Sequence, residues 1–361
     1  MKIVVGFLLC ISLAILVSPK LYASEKVVIA YYSGSIQKLD SFDARGFTHL
    51  IYCFGHLQDH KLTLHKPQDT LLIQKMVSLK KRNNKLKVLV SLGGWGGCAP
   101  CSEGFSTSSG RSEFANSVLA LITNLKIDGI DLDWEYPAIE GVPGHRFSPD
   151  DKPNFTELIR TLRQVLGKER IITFAAGGSD SYLNNSVDWN SVMPLVDYVN
   201  LMTYDFYGGY SKTTGHHTAL FSTSNQNQST DHCVKSLIGK GIDQRKLIIG
   251  AAFYGRIWKG VSAQDHGLYQ SGKFKTYVSY KDISIALSEK AGYTQYWDSV
   301  AKAPYAYNAT AKTFATFDNK QSIEAKTDYV NQNNLGGIMF WQLGDDKPKH
   351  GLIEVINKTL K

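Results

Sequence analysis

Long apolar runs are scarce in this 361-residue chain. The one that stands out, Ile3 to Val17, is shorter than the roughly 20 residues a membrane-spanning helix needs. It follows Met1-Lys2 and precedes Ser18, Pro19 and a small-residue site ending Leu21-Tyr22-Ala23, so residues 1–23 read as a secretory signal peptide cleaved after Ala23. Clustered positive charge is lacking too. The formal charge is +8, which becomes +6 without Lys2 and Lys20, and the remaining basic residues are interspersed with acids. That excludes a nucleic-acid tract, and no nucleic-acid partner is expected. Internal repeats and low-complexity linkers are absent as well.

Cysteine is sparse: beyond Cys10 in the leader, only Cys53, Cys98, Cys101 and Cys233 occur. A zinc site would want a second cysteine pair or two histidines at ligand spacing, and His216-His217 are adjacent in a Gly-rich loop, so no metal and no cofactor is expected. Cys98-Ala99-Pro100-Cys101 imitates a redox pair, which would need a thioredoxin-like setting that the surrounding sequence does not supply. In an exported chain the same spacing favours a local Cys98–Cys101 disulfide.

What the chain has in abundance is short apolar strands. Eight segments fit a buried parallel sheet: Val27 to Tyr31, His49 to Phe54, Lys87 to Leu92, Gly129 to Trp134, Arg170 to Ala175, Asp197 to Met202, Leu247 to Ala252 and Gly336 to Trp341. Amphipathic helical stretches such as Leu72 to Lys85 and Phe155 to Leu166 separate them. This alternation predicts an α/β fold, a (β/α)8 TIM barrel, over residues 24–361. The interval between the seventh and eighth strands is too long for one helix. Its aromatic and β-branched runs around Thr276 to Tyr280 and Gly292 to Tyr307 predict an inserted α+β subdomain over 256–317, followed by a helix over Ser322 to Asn333.

The densest chemistry lies in Asp128 to Pro137, Asp-Gly-Ile-Asp-Leu-Asp-Trp-Glu-Tyr-Pro. Asp131, Asp133 and Glu135 alternate with Ile130, Leu132 and Trp134, so one face of a strand is acidic and the other apolar. Successive carboxylates lie roughly 6.6 to 7 Å apart along such a face. Each charge makes the next harder to ionise, so at least one pKa should rise. A merely solvated acidic face is a poor alternative, because like charges aligned on one face destabilise a sheet.

This run resembles the Asp-x-x-Asp-x-Asp-x-Glu signature of the glycoside hydrolase family 18 chitinases, matched at Asp128, Asp131, Asp133 and Glu135. Ser91-Leu92-Gly93-Gly94-Trp95, Met202-Thr203-Tyr204-Asp205 and Gly336-Gly337-Ile338-Met339-Phe340-Trp341 are similar to further family motifs, in the same order. The insertion also resembles one that many chitinases of the family carry, where it walls one side of the cleft.

Asp133 and Glu135 project from one strand in one direction, so they cannot straddle a glycosidic bond as the usual carboxylate pair does. The resemblance implies the substrate-assisted route instead, in which the acetamido carbonyl of the sugar attacks the anomeric carbon. It implies Glu135 as general acid and then base, Asp133 as the group orienting the acetamido, Asp131 as the charge that keeps Asp133 protonated, and Tyr204 as a hydroxyl donor. Trp341 would be the floor under the sugar. Asp205, Met202, Tyr31, Phe54, Ser91, Trp95, Tyr254 and Arg256 would line or support the pocket. The expected partner is chitin or chitin oligosaccharides, met by a secreted monomer in the extracellular or periplasmic space, with no membrane association once the leader is removed. An endo-β-N-acetylglucosaminidase acting on glycans is the nearest rival, although it generally lacks the insertion. A chitinase-like lectin would have lost the acid at Glu135, which is present here.

Overall fold

The computed structural model describes residues 25–361; the expected signal peptide over 1–23 lies outside the described residues. Fourteen strands follow in chain order: β1 Val27–Tyr32, β2 His49–Gln58, β3 Lys61–Thr63, β4 Lys87–Gly93, β5 Gly129–Asp133, β6 Ile171–Gly177, β7 Tyr198–Met202, β8 Leu247–Ala252, β9 Tyr254–Lys259, β10 Lys273–Ser279, β11 Thr294–Asp298, β12 Ala303–Asn308, β13 Thr313–Phe317 and β14 Gly337–Trp341. Eight of them, β1, β2, β4 to β8 and β14, pair in parallel, and the β1–β2 pairing closes the ring into a (β/α)8 barrel. The expected fold class is the observed one.

Alternation within each strand divides the apolar residues between two cores. Val27, Ile29 and Tyr31 of β1 meet Ile51, Leu89, Ile248 and Met339 inside the barrel, while Val28, Ala30 and Tyr32 face the helices outside. The helix Asp151–Leu166 shows why those outer faces are covered: Phe155, Leu158, Ile159, Leu162 and Leu166 recur at helical spacing and are all buried. It starts four residues before the predicted Phe155, because Pro153 in the first turn needs no hydrogen-bond partner there. The helix predicted over Leu72 to Lys85 instead spans Pro67–Ser78 and tightens into a short turn at Leu79–Lys81. Pro67 opens it, and the polar Lys-Arg-Asn-Asn run contributes no apolar face to extend it.

A second sheet, with strand order β10-β9-β13-β12-β11 and antiparallel throughout, fills most of the interval between the seventh and eighth barrel strands. Sequence pattern missed two of its members, β9 and β13, and the sheet begins at Tyr254 rather than Arg256. Ile257, Ala306, Ala315 and Phe317 join the large outer core through one of its faces. On the opposite face Trp258, Tyr307 and Phe314 form a smaller core with Val261 and Leu268. No helix among the described residues is long and apolar enough to cross a membrane.

Candidate active site

Register explains the floor of the site. In parallel pairing Asp131 of β5 lies beside Ser91 of β4 on one side and Thr173 of β6 on the other. The hydroxyls of Ser91 (2.7 Å) and Thr173 (2.5 Å) donate to the Asp131 carboxylate. From across the barrel come the Tyr31 hydroxyl at 3.1 Å and the Asn200 amide at 3.1 Å. Asn200 also donates to the Tyr31 oxygen at 2.8 Å, so the single Tyr31 proton is directed at Asp131. Burial pushes the Asp131 pKa up, and these four donors oppose that rise.

Asp133, one step nearer the mouth, has the opposite surroundings. It is 4 % exposed, and its Oδ1 has no hydrogen-bond partner. Burial, then the charges of Glu135 and Asp131, drive its pKa well above the carboxylate range. Asp133 therefore holds a proton more tightly than an ordinary carboxyl, whereas the four donors on Asp131 beneath it favour the ionised form there. Glu135 follows β5 at the mouth and is half-buried. Burial, offset in part by Tyr136 and reinforced by Asp205, raises its pKa to about 7. A carboxyl poised there gives and takes a proton at neutral pH.

The remaining acid of the first motif serves another end. Asp128 lies before β5, where it accepts from the Val88 amide at 2.7 Å and pairs with Lys80 at 2.6 Å. Its role is to pin β4 against the loop entering β5.

Most of the sequence-predicted residues converge on this mouth. Phe54, Met202, Tyr204 and Trp341 pack as partly buried side chains on the inner core that contains Tyr31. The Trp341 ring stacks on Phe54 at 5.5 Å between centroids and is tilted against Tyr31 at 6.1 Å. Gly94 permits this close approach, since with φ +76 a Cβ there would collide with the Phe54 ring. Asp205 gathers the Tyr254 hydroxyl at 2.8 Å and the Arg256 guanidinium in a two-pronged pair. Burial alone would raise Asp205, but hydrogen bonds from His217 and Arg256 and the Arg256 charge hold it below the carboxylate range. Trp95 stands apart on the rim, half exposed, with Tyr136 and Tyr210 as its aromatic neighbours. Cys98 and Cys101 are joined by a disulfide in the loop after β4, while Cys53 and Cys233 are buried free thiols.

Sequence reading missed Thr173, Asn200 and His217. The first two had a signal: each is the polar residue inside an otherwise apolar strand, Ile-Ile-Thr-Phe and Tyr-Val-Asn-Leu-Met. His217 had none, and its neighbour His216 turns away to Asp298 at 3.0 Å.

The profile of the Glycosyl hydrolases family 18 matches residues 27–346. Chitinase A1 of Niallia circulans is 34 % identical over 305 residues, covering 77 % of this chain and 43 % of that protein. Chitotriosidase-1 of Mus musculus is 33 % identical over 318 residues, covering 83 % of this chain and 67 % of that one. Among solved structures, a glycoside hydrolase family 18 N-acetylglucosaminidase from Paenibacillus barengoltzii superposes with a TM-score of 0.85 at 35 % identity, over 93 % of this chain and 100 % of the other.

Proposed function

Because the chain belongs to the glycosyl hydrolases family 18, we propose that it is a secreted chitinase that hydrolyses β-1,4 bonds between N-acetylglucosamine units with retention of configuration. Glu135 protonates the glycosidic oxygen as the acetamido carbonyl oxygen of the sugar being cleaved bonds to that sugar's own anomeric carbon, the bond to the glycosidic oxygen breaks and the leaving sugar departs. Glu135, now a carboxylate, takes a proton from the water that opens the resulting oxazolinium ring. Asp133, protonated over Asp131 in the resting state, accepts from the acetamido N–H through its carbonyl oxygen and so orients and stabilises the group, and Tyr204 donates to the acetamido oxygen. Trp341 carries the apolar face of the sugar. The leader over 1–23 directs export, the Cys98–Cys101 bridge suits an oxidising compartment, and the barrel over 24–361 is interrupted by the 256–317 subdomain.

One observation carries the substrate-assisted route. Asp133 ends β5 and Glu135 follows two residues later on the same side of the mouth, and Asp205, the other acid there, is tied to Arg256. No free carboxylate in this set faces Glu135 across a sugar, so the nucleophile is supplied by the substrate.

The test is hydrolysis of N-acetylglucosamine oligomers beside fully deacetylated ones. Acetylated oligomers should be cleaved with the β-anomer appearing first, and Glu135→Gln should lower turnover by about 10² to 10⁴-fold. Rapid cleavage of the deacetylated oligomers, or the α-anomer as first product, would overturn the mechanism. A second reading follows from the Paenibacillus barengoltzii protein, whose whole chain is covered: release of single N-acetylglucosamine units. Product lengths at early times separate the two.

A further inference from the structure

The face of the second sheet that carries Arg256 looks toward the barrel mouth, since Arg256 reaches Asp205 from it. Residues directly opposite in an antiparallel pair share a face. On β10 the partner of Arg256 is Tyr277. Its successor Val278 points the other way and packs on the large outer core. Further along the same face Trp258, Tyr307 and Phe314 are covered by the segments that carry Tyr207, Val261, Leu268 and Tyr269. The corner with Tyr277 is left open, and Tyr277 is 65 % exposed.

The position of that corner along the mouth follows from two contacts. Phe274, near the start of β10, sits beside Gly209, in the loop that carries Tyr210 toward Trp95. The far end of β10 is fastened to the end of the barrel's last strand: the Ser279 hydroxyl donates to Asp345 at 2.5 Å, four residues after Trp341. Tyr277 is two residues from that fastening and so belongs to the Trp341 side of the mouth. An exposed ring on a paired strand, across from the residue that carries Arg256 on the same face, matches what a pyranose with one apolar face requires.

We propose that Tyr277 is a sugar-binding residue, taking the N-acetylglucosamine unit next beyond the one over Trp341, on the non-reducing side of the cut. This inference rests on the chitinase reading for its ligand. The ring covers the apolar face of that unit. Tyr277 thereby sets how much an additional sugar on that side improves binding and turnover.

The experiment compares fluorogenic glycosides bearing one, two and three N-acetylglucosamine units, in the wild type, Tyr277→Ala, Tyr277→Phe and, as a surface control, Leu71→Ala. The rise in kcat/KM from one to two units should shrink about five- to tenfold in Tyr277→Ala, since a tenfold change corresponds to about 1.4 kcal/mol of contact. It should persist in Tyr277→Phe and Leu71→Ala. An unchanged rise in Tyr277→Ala, or an equal fall on all three glycosides, overturns the assignment. Calorimetric binding of the di- and trisaccharides to Glu135→Gln, with and without Tyr277→Ala, reads the same contact without turnover. If the wild type cleaves nothing, the enzymatic reading fails while the binding pair still decides for or against Tyr277.

Discussion

Asp318 and Asp133 are both buried acids, at 0 % and 4 % exposure, and the chain treats them in opposite ways. Asp318 is saturated: Lys326 at 2.6 Å, the Thr218 and Ser322 hydroxyls at 3.1 and 2.7 Å and the Ala252 amide at 2.9 Å all donate to it. Lys326 is itself fully buried and also donates to Thr218. This network ties the end of β8 to the helix Lys320–Gln332, just after the second sheet returns to the barrel. Asp133 has no cation and an unpartnered oxygen. A buried acid with its counter-ion holds structure. One with neither counter-ion nor donors holds its proton more tightly and leaves a polar atom free for a substrate.

The sharpest way to break this contrast is to remove one member from each side. Lys326→Met leaves a buried carboxylate uncompensated and should cost about 3–5 kcal/mol of stability in urea unfolding. Asp133→Asn, replacing a neutral acid by a neutral amide, should change stability by less than about 1.5 kcal/mol yet lower turnover by about 10²-fold or more. Equal stability losses would show that both acids are structural.

A smaller effect tests the donors under Asp131. Thr173→Val removes one of four hydrogen bonds to a buried anion and should cost about 1.5–3 kcal/mol. Turnover should fall with it, because a less firmly ionised Asp131 competes with Asp133 for the shared proton. Full activity in Thr173→Val would mean that Ser91, Tyr31 and Asn200 suffice.

The smallest effect is on stability against pH, since Glu135 keeps some contact with solvent at the mouth. Its folded pKa, about 7, lies above the ordinary value of 4.5, so the folded chain holds this proton more tightly than the unfolded one. Stability should therefore decline as pH rises from about 4.5 through about 7. Glu135→Gln should flatten that decline in thermal unfolding scans. An unaltered slope would assign it to other groups.

How far this contrast could be read from the sequence depends on what each part needed. The barrel strands were legible because strands buried on both sides are continuous apolar runs, and their limits fall within a residue or two, apart from β2. That strand runs on to Gln58 because it forms a hairpin with β3, a local pairing the apolar pattern does not mark. Asp131, Asp133 and Glu135 were legible because alternation puts acids where a strand wants Val or Ile. The donors Thr173 and Asn200 were not singled out, since only closure of the barrel brings β6 and β7 around Asp131. The Asp318–Lys326 pair was equally hidden: each is one acid or base among many until folding buries both. Strands β9 and β13 escaped because Tyr-Gly-Arg-Ile-Trp-Lys and Thr-Phe-Ala-Thr-Phe derive their strand character from partners across the sheet.

The ring closes between its ends: β1, made early, pairs with β14, where Val27 faces Gly337 and Ala30 faces Phe340. A nascent chain leaving the ribosome cannot complete that seam until its last tenth has emerged. The floor where Tyr31 meets Trp341 comes from the same two strands, so binding competence arrives together with topological closure.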